Sequence, residues 1–110
     1  MFNRTIITKL IAEVFGTAVL ASVVLSVSAF TAIPLFVGLA AGLSLGLMVL
    51  AIGSVSGSHI NPAVTVGLWS RKLIPTTEAV AYITAQVLGA TLALASYQYL
   101  SDKSAELSAT

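Results

Sequence analysis

A few acid, amide and imidazole side chains stand isolated in an otherwise apolar chain: Glu13, His59, Asn61 and Gln86. Asn61 is the most informative, because Pro62 follows it. Asparagine is a favoured residue at a helix N-cap, and proline suits the first helical position, where a missing N–H costs nothing. An asparagine in that place caps with its carbonyl oxygen and keeps its NH₂ free to donate to a passing oxygen atom. The residues before it, Gly57, Ser58, His59 and Ile60, sit in a stretch that favours irregular backbone, so their carbonyls lack intrahelical donors and can form a ladder of acceptors. Acceptor carbonyls, one amide donor and the positive end of a helix repel cations and suit small neutral molecules carrying hydroxyl groups, of which water is the smallest.

Other chemistries find less support. His59 has no second histidine, cysteine or carboxylate near it in sequence, so neither a metal site nor a proton carrier is expected, and no cofactor is implied. No nucleophile and base stand at a plausible spacing, which argues against an enzyme. Ser54, Ser56 and Ser58 read as loop formers. The chain lacks cysteine, and its net charge of +1 leaves no basic patch for nucleic acid.

The elements that position these residues must lie in a membrane. Of 110 residues, 57% are hydrophobic and 8% charged, against roughly 25% charged in soluble chains; the mean hydropathy is +1.01. No Asp, Glu, Lys or Arg occurs between Glu13 and Arg71, or between Glu78 and Asp102. Since about 20 apolar residues cross a hydrocarbon core of roughly 30 Å, the first gap crosses twice and the second once. We expect spans over about 5–28, 34–55 and 79–100, the first uncleaved rather than a signal peptide, with Pro34 opening the second. The glycines and serines of 53–58 should close that span as irregular backbone. Between Pro62 and Ser70 there is room only for a helix of about 13 Å, which begins deep and ends at the interfacial residues Trp69, Arg71 and Lys72. A re-entrant loop and half-helix over 56–70 follow.

Thr76 or Thr77 is expected to cap the last span, with Glu78 in its first turn and Tyr97 and Tyr99 at its far interface. Residues 101–110 read as a polar, disordered tail. Arg4, Lys9, Arg71 and Lys72 fall on one side and Lys103 alone on the other, which places the N-terminus in the cytoplasm and the C-terminus outside the cell membrane. Gly38, Gly42 and Gly46, and likewise Ala81, Ala85, Gly89 and Ala93, recur every four residues and form flat faces for helix packing in lipid.

Ser56-Gly57-Ser58-His59-Ile60-Asn61-Pro62-Ala63-Val64-Thr65 resembles the first Asn-Pro-Ala loop of the aquaporin and aquaglyceroporin (major intrinsic protein) family. Ala12-Glu13-Val14-Phe15-Gly16-Thr17 and Ala85-Gln86-Val87-Leu88-Gly89 carry the likeness into the first and last spans, so it covers roughly residues 6–100. The resemblance implies an all-α fold of three transmembrane helices plus one re-entrant half-helix. It implies a passive channel in which Asn61, within Asn61-Pro62-Ala63, is the central amide donor, the carbonyls of Gly57, Ser58, His59 and Ile60 line the pore, and Glu13 and Gln86 form a buried buttress. An ungapped count back from Asn61 assigns Ala41, just before Gly42-Leu43, to the selectivity constriction. An alanine there is smaller than the aromatic residue of many water-selective members, which implies room for a solute such as glycerol.

Family members have two inverted repeats and two such loops, whereas one is found here. The second loop normally carries arginine after its alanine; Val64 in that place marks this as the first repeat. A second repeat or another copy of the chain is therefore implied as a partner, besides the lipid bilayer, and the family's usual assembly implies a homotetramer. Two copies inserted in opposite directions would need balanced basic residues, which the four-to-one bias lacks. A non-conducting membrane fragment or interaction subunit stands as the alternative reading, and a secondary transporter element, with Glu13 as coupling carboxylate, as a further one.

Overall fold

The computed structural model describes residues 4–110, apart from the side chain of Arg4. The first three residues of the expected repeat, and the Arg4 side chain used to orient it, lie outside the described residues. Four helices follow one another: α1 (Arg4–Phe30), α2 (Pro34–Ser56), α3 (Pro62–Ser70) and α4 (Thr76–Ser108). The fold is all-α: three helices are long and apolar enough to cross a membrane, and α3 is short.

Local chemistry explains most boundaries. Pro34 opens α2 at a position where its missing N–H costs nothing. The α1–α2 turn is closed by Thr31, whose Oγ1 accepts the Ile33 N–H at 3.1 Å. Helix α2 runs further than its glycines and serines suggest. Gly53, Ser54, Val55 and Ser56 all remain helical, and the break comes at Gly57, which adopts φ 87° and donates its N–H to the Gly53 carbonyl at 2.9 Å. A left-handed residue ends a helix whatever precedes it, and glycine enters that region without steric cost; Gly53 and Ser54 merely lower propensity, which apolar surroundings override. Ser54 and Ser56 are thus helical rather than loop residues.

Two expectations about α4 are also corrected. Neither Thr76 nor Thr77 caps it: the N-cap is Pro75, with no side-chain hydrogen bond, because the Thr76 hydroxyl instead accepts from Trp69 Nε1 at 2.9 Å. Nor is the polar tail disordered. The 33-residue helix continues to Ser108, since residues 101–108 contain no glycine or proline to stop it and Lys103 pairs with Glu106 one turn on, at 3.1 Å.

Helix α1 packs on both α2 and α4, and α3 returns against α4. The closest backbone approach is between α1 and α4, where a Cβ on Gly89 would collide with the Val14 carbonyl. Ala85 and Ala93, from the same small-residue row, are buried beside it, while Ala81 is half-buried. The glycine row of α2 is different. A Cβ on Gly38, Gly42 or Gly46 would meet nothing within 4 Å, so that face packs against none of the described residues. These two rows predict opposite outcomes. Gly89→Val should destabilise the α1–α4 pair by about 1–3 kcal/mol, read as a lower midpoint for loss of helicity in detergent, whereas Gly42→Val should leave the midpoint of the isolated chain unchanged.

Candidate functional site

The centre of the site is Glu13, which is wholly buried near the middle of α1. Its Oε1 accepts from the Ser56 hydroxyl at 2.6 Å and the His59 N–H at 3.0 Å. Its Oε2 accepts from the Ile60 N–H at 2.7 Å and Gln86 Nε2 at 2.9 Å. All four are donors to one buried side chain, and hydrogen bonds of this kind replace the water shell that burial removes.

That carboxylate organises the connection between α2 and α3. Gly57, Ser58 and Ile60 have φ of 87°, 51° and 40°; the left-handed region is costly for ordinary residues and a genuine outlier for β-branched isoleucine. Strain of this kind, of order 1–3 kcal/mol per residue, persists where surroundings over-determine it. Here the Ile60 N–H is held by Glu13, and the Ile60 side chain, only 2% exposed, is packed beside Gly16 and Ile52. Ser56 serves twice: its hydroxyl accepts from the Ser58 N–H at 3.1 Å while donating to Glu13.

Three contributors escape a reading by residue type alone. Tyr82 is buried and donates its hydroxyl to the Ser56 carbonyl at 2.6 Å, satisfying an acceptor that the helix end leaves without a partner. Its ring lies 4.7 Å from that of His59. Thr65, also buried, accepts from Gln86 Nε2 at 3.0 Å, and its Oγ1 lies 3.0 Å from His59 Nδ1. Ser56 is the third. The available signal was spacing: Tyr82, Gln86 and Gly89 lie on one face of α4 at intervals of four and three residues, and Thr65 follows Asn61 by four.

The positions singled out in the sequence therefore separate into groups. Glu13, Gln86, His59 and Ile60 are brought together. Asn61 caps α3, its Oδ1 accepting the Ala63 N–H at 2.9 Å, and no described residue bonds its Nδ2. The carbonyls of Gly57, Ser58, His59 and Ile60 likewise accept from no described residue. Asn61, Pro62 and Ala63 are exposed. Ala41 is half-buried along α2, outside this network. The contacts of Glu13 and Gly16 with the connection hold the start of α3 against α1, and its other end lies at Arg71 and Lys72.

A sequence profile for the family described as "Major intrinsic protein" matches residues 2–109. The chain belongs to the major intrinsic protein family. It is 45% identical over 95 residues to Aquaporin Z from Photorhabdus laumondii, covering 79% of this chain and 41% of that protein. It is 52% identical over 64 residues to Aquaporin AqpM from Methanothermobacter thermautotrophicus, covering 58% of this chain and 25% of the relative. A match to the Probable aquaporin AqpM from Archaeoglobus fulgidus is 46% identical over 56 residues, 51% of this chain and 23% of that protein. The matched region thus spans less than half the length of each of these relatives. Membership of the family and the three apolar helices make this a membrane protein.

Two substitutions test the network. Glu13→Ala leaves four donors without their acceptor, each costing about 1–3 kcal/mol, and should accelerate hydrogen exchange at the His59 and Ile60 amides by orders of magnitude. Tyr82→Phe removes one bond, about 1 kcal/mol, and should raise exchange at these amides only severalfold.

Proposed function

We propose that this chain is half of a passive membrane channel, the first of two inverted repeats, conducting water and small neutral solutes such as glycerol once a second repeat completes it. The observation that carries the reading is Asn61: its oxygen is committed to the α3 cap, its NH₂ is left to donate, and four consecutive acceptor carbonyls lead up to it. A solute hydroxyl exchanges water for those carbonyls and then for the amide, so passage needs no chemistry and no ion coupling. The positive end of α3 opposes cations at the same place. Three relatives bear the name aquaporin, which supports the same reading.

In this proposal Pro62 and Ala63 set the half-helix against its counterpart, Ala41 lines the constriction, and Glu13 with Gln86 holds the loop. The exposed α3 start and the open glycine face of α2 are then surfaces for the second repeat, whether on the same polypeptide or another, and the completed channel assembles as a tetramer in the cell membrane. The N-terminus lies in the cytoplasm, and the C-terminus lies outside.

Asn61→Asp is the sharpest test. The aspartate keeps a capping oxygen for the Ala63 N–H, and a helix N-terminus favours the added negative charge, so the fold should survive while the donor is lost. Stopped-flow light scattering of vesicles carrying the chain together with a second repeat from Aquaporin Z should show rapid osmotic shrinkage that falls at least tenfold in Asn61→Asp. Equal rates in the two would remove Asn61 from the conduction path, and a rate equal to that of empty vesicles would leave the chain a non-conducting fragment.

A further inference from the structure

The far end of α3, opposite Asn61, carries a second polar feature that the pore does not use. The helix stops in a tight reversal: the Lys72 N–H bonds the Trp69 carbonyl at 2.9 Å and the Leu73 N–H bonds the Leu68 carbonyl at 3.0 Å, with Lys72 at φ 58°. Glycine is the usual residue at such a position, where it avoids a left-handed penalty of roughly 1–2 kcal/mol. A lysine stands there against that cost, with its side chain at the end of α3. Arg71 beside it is exposed, and neither residue has an acidic partner among the described residues, whose ion pairs are Lys9–Glu78 and Lys103–Glu106.

Lys72 lines a pocket of about 750 Å³ together with Trp69, Ser70, Pro75 and Thr76 among others, and Arg71 adjoins Lys72 in sequence. The Trp69 ring is tethered there through its Nε1 bond to Thr76. Thr76 also lines a second groove, of about 580 Å³, which runs between α1 and α4 past Leu10, Val14, Val80, Ala81 and Leu88 and is almost wholly apolar. The nearby carboxylate of Glu78 is offset by Lys9 at 3.7 Å, so it does not cancel the positive charge of the turn.

A cationic pocket that adjoins an apolar groove at a shared residue, Thr76, has the polarity of a single phospholipid. The geometry points to a site for an anionic phospholipid, its phosphate at Lys72 and Arg71 against the Trp69 indole, and one acyl chain in the α1–α4 groove. The groove decides between a lipid and free phosphate, because only a lipid gains from filling it. The site is separate from the conduction path, so it stands or falls apart from the channel reading.

The test is native mass spectrometry of the full chain released from nanodiscs holding equal amounts of phosphatidylglycerol and phosphatidylcholine. We expect retained lipid enriched in phosphatidylglycerol. A basic residue near an anionic surface contributes about 1 kcal/mol, so Lys72→Gly should lower the enrichment about fivefold, with Arg71→Gln acting similarly and Lys103→Gln leaving it unchanged. Lys72→Gly relieves the left-handed backbone, so its effect would not come from misfolding; unaltered helicity by circular dichroism checks this. Equal loss in Lys72→Gly and Lys103→Gln, or no enrichment in the unaltered chain, would overturn the site. Excess inorganic phosphate should leave most of the lipid bound, and complete displacement would refute the phospholipid in favour of a plain anion site.

Discussion

One buried carboxylate holds the candidate site of this molecule together. Glu13 joins three separate segments: the end of α2 through Ser56, the strained connection through the amides of His59 and Ile60, and α4 through Gln86. In hydrocarbon, irregular backbone has no water to satisfy it and persists only where protein supplies the partners. Glu13 supplies them for the amides of His59 and Ile60, while the carbonyls of the same residues accept from no described residue. Tyr82 and Thr65 extend this, the one closing the end of α2 and the other linking His59 and Gln86.

The rest of the chain is loosely covered. The few buried side chains cluster around Glu13 and along the α1–α4 contact, whereas α2 has only Ser44 and Ser56 buried. Many leucines, isoleucines, valines and phenylalanines face outward on all three long helices. In a membrane this carries no penalty, because lipid tails are as apolar as leucine, and helix association there depends on close packing and polar bonds. The α1–α4 contact uses both: Gly89 brings the backbones together and Gln86 bonds Glu13. The fold is held at its polar centre and leaves its apolar faces to lipid and to other helices.

Much of this was legible in the residues. Two charge-free stretches separated by a short helix whose start is Asn61-Pro62 lead to three long apolar helices and one short one, because the bilayer admits few alternatives; α1, α2 and α3 end near the expected bounds, while α4 runs on to Ser108. Helix ends were less legible. At Gly53 and Ser54, propensity suggested a break that apolar surroundings overrode; at Thr76, a side chain fit to cap α4 was drawn off by Trp69; at residues 101–108, polarity suggested disorder where sequence-local pairs continue the helix. In each case a competing interaction, invisible to a reading by residue type, decided the outcome.

The sequence by itself determined that this is an all-α membrane protein with three helices long and apolar enough to cross, and that a short asparagine-capped helix lies between the second and the third. Those properties follow from hydropathy, length and the conformational preferences of proline and asparagine, which act locally. Tertiary structure decided what the isolated polar residues do. That Glu13 meets the amides of His59 and Ile60, that Tyr82 meets the Ser56 carbonyl, and that Gly38, Gly42 and Gly46 of α2 face no described residue while Gly89 meets Val14 are facts about segments far apart in sequence. Only the packing of α1 between α2 and α4 brings them within reach, since hydrogen bonds and van der Waals contacts act over a few ångströms and carry no signal along the chain.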